Sequence, residues 1–246
     1  MLPKVLIVIP AYNEQAVLAK NIKQLVNFCR QSLVGDFFYS IIIADNNSTD
    51  QTSEIGKSLA VELLEVEYFF VAIKGKGAAI ISAWENFTAD VYCFMDADLA
   101  TDLEALPKLI KSMMAGADLA IGSRFSRNSK VQRSIIRKIF SLGYRTLIKI
   151  IFKTKVSDLP CGFKAINQKT KALILPKIFN REWFFDSELV LLAEHFNLKI
   201  MEVPVIWMEK RSGDDKSKVK LFSLAKAYLA KSIELKKRLK TVYEKF

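Results

Sequence analysis

The sequence has few of the residues from which disulfide-stapled and metal-clipped folds are built. It holds three cysteines and one histidine in 246 residues. Cys29, Cys93 and Cys161 are odd in number and widely spaced, with no C-x-x-C pair, which argues against a disulfide framework or a structural zinc site. A reducing, cytosolic setting fits best. The lone histidine, His195, is assigned no role. No uncharged run reaches the roughly 18 residues expected of a membrane span. Residues 1–9 read as one short apolar strand before a turn, unlike a charged segment followed by a cleavable apolar run. The expectation is a soluble or peripheral protein. No repeat or low-complexity segment is evident. What remains is 51% apolar and 26% charged, too apolar for disorder and enough for the core of one large domain.

Acidic residues are missing from one stretch in particular. Between Lys130 and Lys155 there are eight Lys or Arg and no acid, and from Lys226 to Phe246 there are seven basic residues against two acids. The net charge of +11 is therefore local, and the rest of the chain is slightly acidic. A local basic surface points to phosphates, of nucleic acid or of a membrane.

Hydrophobic periodicity predicts alternating strands and helices. Strands are expected at Lys4–Ile9, Phe37–Ala44, Val91–Met95 and Asp118–Ile121, with a further apolar stretch at Val61–Ile73. Helices are expected at Gln15–Leu33, from Ser48 onward (Ser48 and Gln51 have capping-box spacing), at Ala78–Phe87 and at Asp102–Met114. Short polar connections between them imply a mostly parallel sheet with helices on both faces. Later, Val131–Phe152 is apolar and basic together. Arg133, Arg137, Ser141, Arg145, Lys149 and Lys153 lie four apart there, a slowly turning ridge on a helix. Such a helix can lie at a bilayer interface or serve as an ordinary surface helix. A strand at Cys161–Ile166, a helix at Ser187–Phe196, a strand at Lys199–Trp207 and a lysine-rich amphipathic helix from Leu221 follow. Arg211–Lys218 has turn formers and no apolar anchor, so it reads as a flexible loop.

The stretch Val91–Asp102 ends a strand in two carboxylates, Asp96 and Asp98. Alternate residues of a strand face the same side, so both can enter one crevice. Mg²⁺ or Mn²⁺ would suit them, because hard cations bind through one or two carboxylates plus substrate phosphates. An isolated D-x-D reads equally well as a solvated turn. The other polar clusters, at Tyr12–Glu14, Asp45–Asn47 and Lys74–Gly77, also follow strands, and ligands of open α/β sheets bind beyond the strands' carboxyl ends. That convergence favours a site.

PAYNE at Pro10–Glu14, ADNNSTD at Ala44–Asp50, GKG at Gly75–Gly77 and DAD at Asp96–Asp98 together resemble family-two inverting glycosyltransferases, whose fold is of the glycosyltransferase A type. GSRF at Gly122–Phe125, Arg133 and Arg137, DLPCGFKAI at Asp158–Ile166, FDSEL at Phe185–Leu189, EVPVIW, and SKV at Ser217–Val219 narrow the likeness to the polyprenyl-phosphate branch, especially dolichyl-phosphate β-glucosyltransferases. The resemblance covers nearly the whole chain as one catalytic domain: a nucleotide-sugar half over 1–125, and an acceptor and membrane-surface half over 126–246. It implies transfer of a hexose, glucose first, from a nucleotide sugar, UDP-glucose first, to a polyprenyl phosphate at the cytoplasmic face of a membrane. It implies that Pro10, Ala11, Tyr12, Glu14, Asp45, Asn46, Lys76, Asp96, Ala97 and Asp98 bind the donor. Asp96 and Asp98 would hold the metal. Arg124, Arg133, Arg137, Ser141 and Lys218 would cradle the acceptor phosphate. Asp98, Arg124 and Asp186 would carry the catalysis. Asp186 stands where relatives with hydroxyl acceptors keep a base, and takes a positioning role here because a phosphate is already an anion.

Two departures bear on this. The family's Asp pair after the second strand is Asp45-Asn46 here, so base recognition is expected to differ. In mannosyl-transferring relatives a Gln follows the D-x-D by two residues; Ala100 stands there and cannot ligate a metal, which counts against a GDP-mannose enzyme. The remaining alternatives are a transferase to a glycan or other hydroxyl, with Asp186 as essential base, and a basic nucleic-acid-binding protein. The last lacks an aromatic stacking platform or a recognised module. For Arg124 the structural alternative is a pair with Asp118.

Overall fold

The computed structural model describes residues 2–132, 135–209 and 218–243, with backbone alone for 135–139, 218–225 and 242–243. Its centre is a seven-stranded sheet. Strands β1 (Lys4–Ala11), β2 (Phe38–Asp45), β3 (Val66–Phe70) and β4 (Val91–Met95) are all parallel to one another. The helices α1 (Leu18–Ser32), α2 (Thr52–Glu62) and α3 (Lys76–Asn86) connect them, and α4 (Ala105–Met114) leads to β5 (Leu119–Ser123). The run of Val, Ile and Leu in β1 is buried from Val5 to Ile9, as a strand covered on both faces requires. One face of α1 buries Leu18, Ile22, Leu25, Val26 and Cys29, each apolar side chain contributing about 1.5–3 kcal/mol of transfer free energy.

The second half of the chain completes the same sheet. A short strand β6 (Lys130–Gln132) precedes the long helix α5 (Ile135–Phe152); then come β7 (Phe163–Asn167), α6 (Gln168–Ile174), α7 (Phe185–His195), β8 (Ile200–Pro204), β9 (Ile206–Met208) and α8 (Lys218–Arg238). The strand order is β3-β2-β1-β4-β7-β5-β8, and β7 runs antiparallel to both β4 and β5. β6 and β9 form a separate parallel pair. This is an α/β fold of the expected class.

Several expectations shift. The single strand expected at Lys199–Trp207 is two, with the break after Pro204, because Ile206–Met208 leaves the main sheet to pair with β6. The Ser48–Gln51 capping box does not form. The Ser48 hydroxyl instead accepts from the Asn13 backbone N–H, and the Gln51 N–H donates to the side chain of Gln15. Helix α6 falls between the expected strand at Cys161–Ile166 and the expected helix at Ser187–Phe196, where no element is assigned from the sequence; its N-cap is Asn167, whose side chain accepts from the Thr170 N–H. The loop expected at Arg211–Lys218 lies outside the described residues, except that Lys218 opens α8. Among the described residues no helix is long and apolar enough to cross a membrane.

Candidate active site

The carboxyl ends of β1 to β4 open on one cleft of about 530 Å³. Pro10, Ala11, Tyr12, Glu14, Asn46, Lys76, Asp96, Ala97 and Asp98 line it, so the expected convergence is real. The turns that present them are zipped together. Asn13 sits in the left-handed region (φ 54°) and its side chain accepts from the Thr49 N–H, while the Glu14 N–H donates to the Thr52 hydroxyl. Asn46 explains one departure from the family pattern. Its amide donates to the Ile73 carbonyl and accepts from the Gly75 N–H, each at 2.6 Å. A carboxylate could only accept. Asp45 does not line the cleft: it is buried, accepting from the Tyr68 hydroxyl at 2.7 Å and from the Ser48 N–H at 3.1 Å.

The GKG motif works by close approach. Gly75 has φ 127° and a side chain there would meet the Arg181 carbonyl at 2.1 Å, so only glycine lets the 181–185 segment close over the start of α3. The Ala78 N–H then donates to that carbonyl at 2.8 Å. Lys76 is thereby pointed inward, opposite to a solvated loop cation. Its ammonium lies 2.7 Å from Asp96 Oδ1 and 2.9 Å from Asp186 Oδ2. Burial opposes its charge, but the two carboxylates outweigh burial and hold it protonated well above the usual lysine range.

Asp96 and Asp98 sit on a turn closed by the Leu99 N–H donating to the Asp96 carbonyl, with Leu99 itself left-handed at φ 48°. From α1, Asn21 donates to the Ala97 carbonyl at 2.8 Å. Asp98 Oδ1 accepts from the Ala100 N–H at 3.1 Å. Enclosure raises the Asp96 pKa above the ordinary carboxylate value; Lys76 opposes the rise, and the neighbouring charges of Asp186 and Asp98 reinforce it. Lys76 bridges Asp96 and Asp186, and the carboxylates of Asp96 and Asp98 both line the cleft. That donor set fits a hard divalent cation completed by diphosphate oxygens. No group of three or more His, Cys, Asp or Glu side chains could hold a metal by itself among the described residues, so the substrate would have to supply ligands.

The model of the glycosyl transferase family 2 matches residues 6–172, which carry eleven of the fifteen residues that line this cleft. The chain belongs to glycosyl transferase family 2. A dolichyl-phosphate beta-glucosyltransferase of Trichomonas vaginalis is 33% identical over 228 residues, covering 89% of this chain and 69% of that protein. Glycosyltransferase AglD of Haloferax volcanii is 30% identical over 215 residues; the match takes in 87% of this chain but spans about a third (34%) of that longer protein. A glucosyl-3-phosphoglycerate synthase from Mycobacterium tuberculosis, solved with Mn²⁺, UDP-glucose and phosphoglyceric acid, superimposes with a TM-score of 0.71 at 17% identity. That superposition covers 95% of this chain and 80% of the other, and it shows the shared fold.

The family's later motifs divide between the cleft and its support. In CGFK, Gly162 leaves room for the Asp96 carboxylate and its carbonyl accepts from the Asp96 N–H. Lys164, fully buried on β7, lies 3.2 Å from Asp186 Oδ1 and also donates to the Cys161 carbonyl. Arg124 does not pair with Asp118. Its Nε and Nη2 each donate to Asp158 at 2.8 Å, and its backbone N–H donates to the same carboxylate. Asp118 is taken up by Lys169, Asn167 and the Lys199 N–H. Much of the charge expected at an acceptor phosphate is thus already balanced at Arg124, which instead stacks 5.7 Å from the Trp207 ring at the cleft edge.

Of the other acceptor residues, Ser141 lies on α5 beside Arg124 and Arg145. Arg133 lies outside the described residues, and only the backbone is described for Arg137 and Lys218. Sequence reasoning passed over four residues of the cleft wall: Glu182, Trp183, Trp207 and Glu209. The Trp183 ring lies 5.6 Å from the Lys76 ammonium, and its carbonyl accepts from Tyr228 on α8. The only signal for Trp183 was an aromatic just before FDSEL. Tyr228 also packs edge-on against Tyr144 of α5, whose hydroxyl donates to Ser187. These contacts tie both basic helices to the start of α7.

Proposed function

We propose that this chain transfers a hexose, glucose first, from a nucleotide sugar, UDP-glucose first, to a polyprenyl phosphate with inversion at the anomeric carbon. The observation that carries the proposal is the state of Asp186. Where a hydroxyl acceptor would need a base, this carboxylate is buried between two ammonium groups, Lys76 and Lys164. A phosphate acceptor needs no proton removed. One of its oxygens attacks C1 from the face opposite the diphosphate, the C1–O bond to the diphosphate breaks, and the electron pair leaves on the nucleoside diphosphate.

Asp96 and Asp98 would hold Mg²⁺ or Mn²⁺, which when bound supplies positive charge to the diphosphate. Lys76 and the turn at Pro10–Glu14 would position the donor, with Trp183 and Trp207 closing the cleft sides. The basic ridge of α5, with Arg137 and Ser141, and α8 would face the acceptor phosphate and the cytoplasmic surface of a membrane. Exposed Leu142 and Ile150 on α5 and Ile233 on α8 support that surface role. The dolichyl-phosphate beta-glucosyltransferases among the relatives support the choice of acceptor and sugar. Ala100, buried with its N–H on Asp98 and its carbonyl accepting from Met208, supports a metal shell with no third side chain from that position.

The test is a set of point variants assayed with UDP-glucose and polyprenyl phosphate. Asp98→Ala should abolish transfer with the fold intact. Arg137→Ala should raise KM for the lipid far more than for the donor. Asp186→Asn should weaken donor binding together with turnover. A collapse of kcat with donor binding intact would instead mark Asp186 as the base of a hydroxyl acceptor and overturn the proposal.

A further inference from the structure

We infer that Lys164 is a positioning residue for the donor site, setting from inside the sheet where the Lys76 ammonium stands in the cleft. The inference rests on the donor reading above. Four charges form a continuous alternating chain: Asp96 to Lys76 at 2.7 Å, Lys76 to Asp186 at 2.9 Å, and Asp186 to Lys164 at 3.2 Å. It starts at a cleft-lining carboxylate and ends at an ammonium with no solvent exposure. One aromatic floor lies under both cations, with the Phe94 ring 5.3 Å from Lys76 and 5.6 Å from Lys164.

The position of Lys164 is costly by ordinary rules. β7 is an interior strand, and Lys164 stands in register with Phe94 of β4 on one side and Ile121 of β5 on the other. An apolar residue is the default there, and replacing a whole buried ion pair by apolar groups is often neutral or stabilising. Stability therefore does not explain why the pair is kept. Geometry does. Asp186 has two oxygens: Lys164 takes Oδ1, and Oδ2 is left for Lys76. With Lys164 in place the Lys76 ammonium is shared between two carboxylates of comparable pull and stays at Asp96. Without it, Asp186 carries its full charge in a buried setting and draws Lys76 inward, off Asp96 and out of the cleft. Lys164 acts through Asp186 and Lys76, and touches no substrate.

The experiment compares wild type, Lys164→Met, Asp186→Asn and the double variant Lys164→Met/Asp186→Asn as full chains. UDP binding with Mn²⁺ is titrated by calorimetry, kcat and both KM values are measured, and each protein is unfolded in urea. Lys164→Met should weaken UDP binding about tenfold or more and raise the donor KM while the acceptor KM holds. The double variant, with no surplus buried charge, should recover to within about threefold of wild type. UDP affinity unchanged in Lys164→Met with only stability lost would overturn the inference, as would losses that simply multiply in the double variant. If Lys164→Met does not fold, the double variant against Asp186→Asn decides: recovery supports the coupling and further loss refutes it. Should wild type take no UDP, the donor reading falls, and a crystal structure of Lys164→Met decides this inference alone. Lys76 drawn off Asp96 by more than about 1 Å supports it, and a retained contact overturns it.

Discussion

The Asp96 carboxylate lies directly over the α-carbon of Gly162, so close that a methyl group there would come within 2.1 Å of Oδ2. The D-x-D turn and the CGFK strand, 66 residues apart, are therefore one construction. The glycine makes the space in which the carboxylate stands, and the lysine two positions on anchors the charge chain that reaches it.

Gly162→Ala is expected to displace the Asp96 carboxylate, the movable end of a side chain, and to leave the backbone nearly undisturbed. Turnover should fall at least about tenfold while the urea midpoint shifts little. A fully active Gly162→Ala enzyme would show that Asp96 is not needed where it stands.

Asn46→Asp removes a donor from the latch on the Ile73–Gly75 loop. The loss of one buried hydrogen bond costs about 1–3 kcal/mol, and the loop carries Lys74 and leads into Lys76. Donor KM should rise several-fold, with the acceptor KM unchanged. Equal effects on both substrates would place the latch outside the donor site.

The Arg124–Asp158 pair sets a pH dependence. Burial alone would raise the Asp158 pKa, but the Arg124 charge and its hydrogen bonds, helped by the Lys164 charge, hold it below the usual carboxylate value. Its folded pKa is depressed, so the stability it contributes is complete above the ordinary carboxylate range and is lost as pH falls through the depressed value. Asp158→Asn leaves Arg124 buried without its counter-ion and should cost about 3–5 kcal/mol at neutral pH. Urea unfolding from pH 7 downward checks both: the gap between wild type and variant should close under acid conditions.

Burial pushes the Cys29 and Cys161 thiols up to about 12, and Cys93 is raised further. The thiolate is the reactive form. None of the three should react with a thiol reagent at pH 8 until the chain is unfolded; prompt reaction of any one in the native protein would contradict the packing around it.

Much of this architecture was legible because it is local. The β-branched runs of β1, β2 and β4 and the three-four spacing in α1 mark themselves, and parallel connectivity then sends Glu14, Asn46, Lys76, Asp96 and Asp98 to one rim. What escaped depends on contacts distant in sequence. Asp158 could not be chosen over Asp118 as the partner of Arg124, because the choice is made by a loop packing against the end of β5. Asp45 looked like a ligand-facing acid, yet Tyr68 on the neighbouring strand claims it. Trp183 and Trp207 reach the cleft from after α6 and from a strand that leaves the main sheet at Pro204, a departure that no periodicity announces.

A nucleotide-sugar screen with Mg²⁺ or Mn²⁺ and polyprenyl phosphate as acceptor puts the proposed reaction to the test. The expected outcome is a lipid-linked hexose, with UDP-glucose the preferred donor and Asp98→Ala inactive. Product formed on a glycan or other hydroxyl acceptor, with none on the lipid phosphate for any donor, would contradict it.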